Sequence, residues 1–196
     1  VVDNKSDKVE AANAAMVLAQ KEKVNAVLGS WGSSLSMAGG PIFAEAKIPA
    51  VAVSATNPNV TKGNEHYFRV CFLDPFQGTV GATYAFNTLK AKKVAIIREV
   101  SNDYSVGLAK FFVDQFTKLT GDAQAVVATA DYNTGDQDFT AQLTNIKKAN
   151  PDVIFAPGNY TESALIIKQA RQLGMKTPFV GGDTWDMDAF LKVGGE

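Results

Sequence analysis

The chain has 196 residues, 19 basic against 20 acidic side chains and 46% hydrophobic content, a composition that supplies one sizeable core or two small ones. Near-neutral charge excludes the electrostatic footprint of a nucleic-acid or anionic-membrane binder, since the one short basic run, "KAKK" at Lys90–Lys93, only leads into a strand. No apolar run reaches the roughly 18 residues that a membrane-spanning helix needs.

Cys71 is the single cysteine, so no disulfide can form within the chain and the redox compartment cannot be read from it. The chain begins without an initiator methionine and reads as trimmed or partial, which makes a missing signal peptide uninformative.

In chain order, a first helix is expected over "SDKVEAANAAMVLAQKEK", with Ser6 as its cap and Val9, Ala12, Met16 and Ala19 on its apolar face. "VNAVLG" reads as a buried strand, "SSLSMAGGPIFAEAK" as a helix and "PAVAV" as the next strand. A turn-rich loop, "SATNPNVTKGNEH", leads to the strand "YFRVCF".

The alternation then becomes cleaner. Helix "PFQGTVGATYAFNTLK" precedes strand "KVAIIRE". Helix "DYSVGLAKFFVDQFTKLTG", with Ala109, Phe112, Val113, Phe116 and Leu119 on one face, precedes strand "AQAVVATA". Helix "DFTAQLTNIKKAN", strand "DVIFAPG", helix "TESALIIKQARQLG" and strand "PFVGG" follow, and "DMDAFLKVGGE" reads as a last, shortened helix. Short apolar strands alternating with longer helices predict an α/β protein with parallel sheets flanked by helices.

In such sheets ligands bind beyond the carboxyl ends of the strands, so the residues that follow each strand are the candidates. After "VNAVL" stand Trp31, Ser33 and Ser34, the two serines opening a helix whose free amides and dipole favour an anion. Simple helix capping by Ser33 is the ordinary alternative. Ser54, Thr56 and the turn-forming Asn57–Pro58 pair follow "PAVAV". Asp103, expected as a cap, and Tyr104 follow "KVAIIRE". Asn159 and Tyr160 follow "DVIFAPG", and Asp183 follows "PFVGG". An anion site on one group of strands, with aromatics and one acid on another, is the complement of a zwitterion.

The blocks "VNAVLGSWGSS", "IPAVAVSATNPNVT", "YFRVCFLDPFQG", "KKVAIIREVSNDYSVGLA", "GDQDFTAQLTNIKKANPDVIFAPG" and "ARQLGMKTPFVGGD" span nearly the whole chain. In order and spacing they resemble the type I periplasmic binding proteins, specifically the branched-chain amino-acid (Leu/Ile/Val) ABC-transporter receptors. The resemblance implies a two-lobed receptor that closes by a hinge on an amino acid held between its lobes and delivers it to permease subunits. It implies an extracytoplasmic location, in the periplasm or as a lipoprotein anchored at the cell surface.

By position, Ser33 matches the family serine that binds the ligand carboxylate, with Ser34 beside it. Ser54 matches a contributor of backbone atoms, and Thr56 a threonine that contacts both carboxylate and ammonium. Tyr104 matches the second-lobe tyrosine that closes over the ligand, Tyr160 a further aromatic of that lobe, and Asp183 the acid that pairs with the ammonium. Trp31 takes the place of an apolar residue lining the side-chain pocket.

Departures are visible. Tyr104–Ser105 replaces Tyr-Gly, Gly32 stands where some relatives carry a disulfide cysteine, and Asp183 is one methylene shorter than the usual Glu. Trp31 is bulkier than an aliphatic residue, which suits a planar side chain stacked on it or a small ligand. The resemblance also implies that residues 1–70 are part of a first lobe and 71–196 most of a second. A fragment lacking a first strand would leave an open sheet edge; either self-association with another copy covers it, by swapping or packing, or the fragment binds poorly.

No enzyme is expected. His66, the lone histidine, sits in a polar loop, and no G-x-S-x-G elbow or G-x-G-x-x-G fingerprint occurs. Asp138 in "GDQDF" is better read as a helix cap than as a metal ligand, so no metal and no cofactor are expected. A ligand-sensing domain of the same fold, for a small polar molecule, is the rival reading.

Overall fold

The computed structural model describes residues 1–194, and the chain divides into two compact units, Val1–Asp74 and Pro75–Glu196.

The first unit holds a three-stranded parallel sheet in the order β1 (Val27–Leu28), β2 (Ala50–Ala52), β3 (Tyr67–Arg69). Helix α1 (Lys8–Met16) and helix α2 (Ser33–Glu45) pack on it. Asp7, not Ser6, caps α1, because its carboxylate accepts from the Val9 and Glu10 amides at 2.8 and 2.9 Å. The buried face of α1 is Ala11, Ala14 and Ala15, while Val9 and Met16 are exposed. The cause lies in α2. A Cβ on Gly39 would sit 3.3 Å from Ala15 Cβ, so the two helices approach at their smallest residues and leave the larger ones outside. The "GGP" run therefore does not end α2; Gly39 and Gly40 are its contact points, and Pro41 lies on its exposed side.

The second unit has a four-stranded parallel sheet in the order β5 (Val126–Tyr132), β4 (Val94–Glu99), β6 (Val153–Phe155), β7 (Phe179–Val180). Its helices are α3 (Asp74–Thr83), which starts at the unit boundary, α4 (Asp103–Thr120), α5 (Thr140–Ala149), α6 (Tyr160–Gln172) and α7 (Asp188–Gly194). Side chains of β4 alternate between two cores, as a strand must. Val94 and Ile96 join Leu108, Phe112, Phe116 and Phe155 on one face. Ala95 and Ile97 join Phe139, Leu143, Ile146 and Ile166 on the other. The predicted face of α4 is the buried one, with Ala109, Phe112 and Phe116 fully inside and Val113 and Leu119 at its margin.

Helix α4 shows why these segments stop where they do. Asn102, not Asp103, caps it, its side chain accepting from the Tyr104 amide at 3.0 Å. Asp103 lies in the first turn and Lys118 in the last, each favourable to the helix dipole. Gly121, at φ 68°, ends the helix in the left-handed conformation that glycine adopts without a Cβ penalty. At α5, Asp138 accepts from the Thr140 amide at 2.9 Å, and hydrogen bonding from Thr140 holds its carboxyl below the ordinary range. The carboxyl ends of β4 and β6, the centre of the sheet, are where the strand order reverses direction.

Candidate functional site

In the first unit the candidate residues gather beyond the ends of β1 and β2. Gly32 is the N-cap of α2, at φ 83°, a conformation that a side chain would strain. Ser33 is thus the first helical residue rather than the cap. Its Oγ accepts from the Asn57 amide at 3.1 Å, which ties the head of α2 to the loop after β2. Because that contact uses an oxygen lone pair, the Ser33 hydroxyl hydrogen still has a donor role to play. Ser34 follows on the partly exposed side, and Trp31 is 45% exposed beside it.

The loop after β2 carries two hydroxyls, Ser54 Oγ and Thr56 Oγ1, whose buried oxygens have no hydrogen-bond partner among the described residues. Thr56 is only 1% exposed. An unmet buried hydroxyl costs roughly 1–3 kcal/mol, a penalty that a ligand can remove. The loop is held open by Arg69, whose guanidinium donates to the Ala55 carbonyl, to the Asn57 carbonyl at 2.9 Å and to Thr61 Oγ1 at 3.3 Å. On the other side, Tyr67 donates to the Gly29 carbonyl at 2.7 Å and Ser36 to the Ser30 carbonyl at 3.1 Å. Burial pushes the Tyr67 hydroxyl pKa up, so it stays a donor.

In the second unit, Tyr104 and Asp183 meet. The Tyr104 hydroxyl donates to Asp183 Oδ1 at 2.8 Å, leaving Oδ2 to accept from another donor. Gln77 Oε1 accepts from the Asp183 amide at 2.6 Å and fixes the turn after β7. Both glycines of "PFVGG" are dictated by space. A Cβ on Gly181 would lie 2.1 Å from the Trp185 ring, and one on Gly182 would lie 2.1 Å from the Tyr104 hydroxyl. Gly182→Ala is therefore expected to cost about 1–3 kcal/mol of stability and to break the Tyr104–Asp183 bond. Denaturant melts and a crystal structure of the variant check this, and a wild-type melt with Tyr104 in place would contradict it.

Tyr160 opens α6 beyond β6, half-buried, next to the cap residue Asn159. At the reversal point of the sheet lies a carboxylate, Glu99, only 1% exposed. Burial pushes its carboxyl above the ordinary range, hydrogen bonds from Thr134 and Asn102 oppose the shift, and the like charge of Glu162 adds to it. Among the described residues no group of three or more metal-ligating side chains exists, and no helix is long and apolar enough to cross a membrane. His66 lies in the loop before β3, its amide donating to Asn64.

Arg69, Gln77 and Glu99 are contributors that the residue-after-strand rule does not find. Two of them leave a trace in the sequence. Arg69 is the one charge in an apolar strand, and Glu99 is the acid that closes the largely buried strand Val94–Glu99. Gln77 leaves none.

The first unit thus presents small hydroxyls beside a helix head, and the second presents a tyrosine-held acid. The periplasmic binding protein description matches residues 1–194, and the chain belongs to that family. Its sequence is similar to an amino acid binding protein of Pseudomonas aeruginosa, at 32% identity over 92% of this chain and 48% of that protein. Its fold is similar to the leucine binding protein LivK of Thermotoga maritima, with TM-score 0.94 and 45% identity over 100% of this chain and 55% of that one. It is also similar to LivJ of Streptococcus pneumoniae, a branched-chain amino acid transporter substrate binding protein solved with isoleucine. There the TM-score is 0.89 and the identity 36%, over 98% of this chain and 53% of that one. The chain thus spans about half the length of these relatives. Each is described as a binding protein, for amino acids in the first case, for leucine in the second and for a branched-chain amino acid transporter in the third, and none as an enzyme.

Proposed function

We propose that this chain is the ligand-recognising part of an extracytoplasmic substrate-binding protein that hands an apolar amino acid to the permease of an ABC transporter. Ser33, Ser34, Ser54 and Thr56 receive the ligand carboxylate. Asp183, presented by Tyr104, receives its ammonium group. Tyr160 supplies a further aromatic surface, and Trp31 lines the place of the ligand side chain. The units Val1–Asp74 and Pro75–Glu196, close to the expected ranges 1–70 and 71–196, act as part of the first lobe and most of the second. The naming of relatives as transport receptors favours this reading over a sensory domain, and the periplasm or a lipoprotein anchor suits its task.

The observation that carries the reading is the buried Thr56 hydroxyl without a partner at the head of α2. A hydroxyl kept out of water and unpaired needs an explanation, and a polar ligand atom that pairs with it supplies one. Thr56→Val keeps the shape and removes the hydroxyl. Titration calorimetry with leucine, isoleucine and valine should then show affinity reduced about tenfold or more, while the melting temperature stays level or rises. Unchanged affinity in Thr56→Val would contradict the assignment.

A further inference from the structure

The buried acid Glu99 has no place in the ligand contacts above, and it lacks the partner that would ordinarily explain it. No salt bridge to it exists among the described residues; the nearest ionisable influence is the like charge of Glu162, itself 6% exposed and accepting from the Gly135 amide at 3.0 Å. Burying an unpaired carboxylate is costly, and a well-packed apolar residue is usually the cheaper choice. What Glu99 gains in return is a convergence of donors. Asn102 Nδ2 donates to its Oε2 at 3.0 Å and Asn159 Nδ2 to the same oxygen at 3.4 Å. Thr134, in the loop after β5, donates to Oε1. The three loops that leave the carboxyl ends of β4, β5 and β6 therefore meet on one side chain.

Two of these donors are the cap residues of ligand-facing helices. Asn102 turns its other end, Oδ1, to the Tyr104 amide at 3.0 Å, and Asn159 directly precedes Tyr160. The Glu99 backbone adds a second tie to α4, its amide donating to Ser105 Oγ at 2.9 Å. We propose that Glu99 is a positioning residue for ligand recognition: its carboxylate locks the caps Asn102 and Asn159, and so fixes the heads of α4 and α6 that carry Tyr104 and Tyr160. The ligand-facing part of this inference rests on the function proposed above; the locking of the helix heads does not.

A neutral amide can satisfy the same geometry, with its oxygen toward the two asparagines and its NH2 toward Thr134 Oγ1, a hydroxyl that also accepts. Glu99→Gln therefore keeps the lock and Glu99→Ala removes it. In the intact protein, hydrogen exchange in Glu99→Ala should speed up about tenfold or more at the hydrogen-bonded amides of the two helix heads, Tyr104, Val106 and Ser163, with β4 still protected. Its affinity for the amino acid that the wild type binds should fall about tenfold or more, and Glu99→Gln should restore both to within about threefold. Asn102→Ser with Asn159→Ala tests the same lock without touching the strand. The serine still caps α4, but both amide donors to Glu99 are gone, so the same loosening is expected.

Wild-type exchange at both helix heads in Glu99→Ala, or in the double variant should Glu99→Ala not fold, would overturn the proposal. A Glu99→Gln protein as impaired as Glu99→Ala would overturn it too. A wild type that binds no amino acid would defeat the functional reading, while the exchange measurement would still decide whether Glu99 locks the caps.

Discussion

Asp183→Ala is expected to weaken amino-acid binding by about 2–5 kcal/mol, which is about 30-fold to several thousandfold in affinity. Asp183 is half-buried, its backbone is fixed by Gln77 and its Oδ1 is held by Tyr104, so in the proposed role it would meet an incoming ammonium already oriented. Truncation leaves that ammonium without its counter-charge and removes an acceptor from Tyr104. Asp183→Asn separates the two effects, because the amide oxygen still receives the Tyr104 hydroxyl while the charge is lost. Calorimetry on both variants should place Asp183→Asn close to Asp183→Ala. If Asp183→Asn binds as the wild type does, charge pairing is not the role of this residue.

Phe112→Ala is expected to destabilise the second unit by about 3–5 kcal/mol. Phe112 is fully buried, stacked on Phe155 at a centroid distance of 3.9 Å and on Phe116 at 5.8 Å. The space around it cannot collapse readily. A Cβ on Gly78 would already fall 2.8 Å from the Phe112 amide nitrogen, so α3 and α4 are in contact through backbone, and one on Gly81 would lie 3.4 Å from the Phe112 ring. Removal of the ring therefore leaves a cavity. In denaturant melts the midpoint should drop with little change in slope. A midpoint within the error of the wild type would mean that the helix repacks onto the sheet.

Helix α4 was legible because its apolar residues are large and widely spaced against charged neighbours, so only one face could be inside. The first helix was not. Four of its nine residues are alanine, and alanine periodicity fits several faces; the choice was made by Gly39 on α2, a tertiary contact that outweighs the larger side chains of Val9 and Met16. Apolar runs such as "VNAVLG" and "YFRVCF" exceed the strands they contain, since pairing in a parallel sheet ends where the neighbour ends. Of the first run, Val27 and Leu28 are in register with Ala50 and Val51, and the Gly29 amide adds one bond to the Val51 carbonyl.

Most candidate site residues were legible from one rule, that ligands meet α/β sheets beyond the carboxyl ends of strands. What the sequence could not show is who holds whom. Ser33 spends its lone pair on Asn57, 24 residues away, rather than on its own helix, and Tyr104 meets Asp183 across 79 residues. Cap positions shifted by one residue, from Ser6 to Asp7 and from Asp103 to Asn102, because several side chains in each stretch could cap and local backbone geometry chooses among them.

Titration calorimetry of the intact protein against a panel of amino acids and their blocked derivatives tests the central claim most directly. Saturable binding of a free apolar amino acid is expected, with the N-acetylated and the C-amidated forms of the same ligand both failing to bind. A derivative that lacks either charged end and still binds as tightly as the free amino acid would contradict recognition of a zwitterion by these two groups of residues.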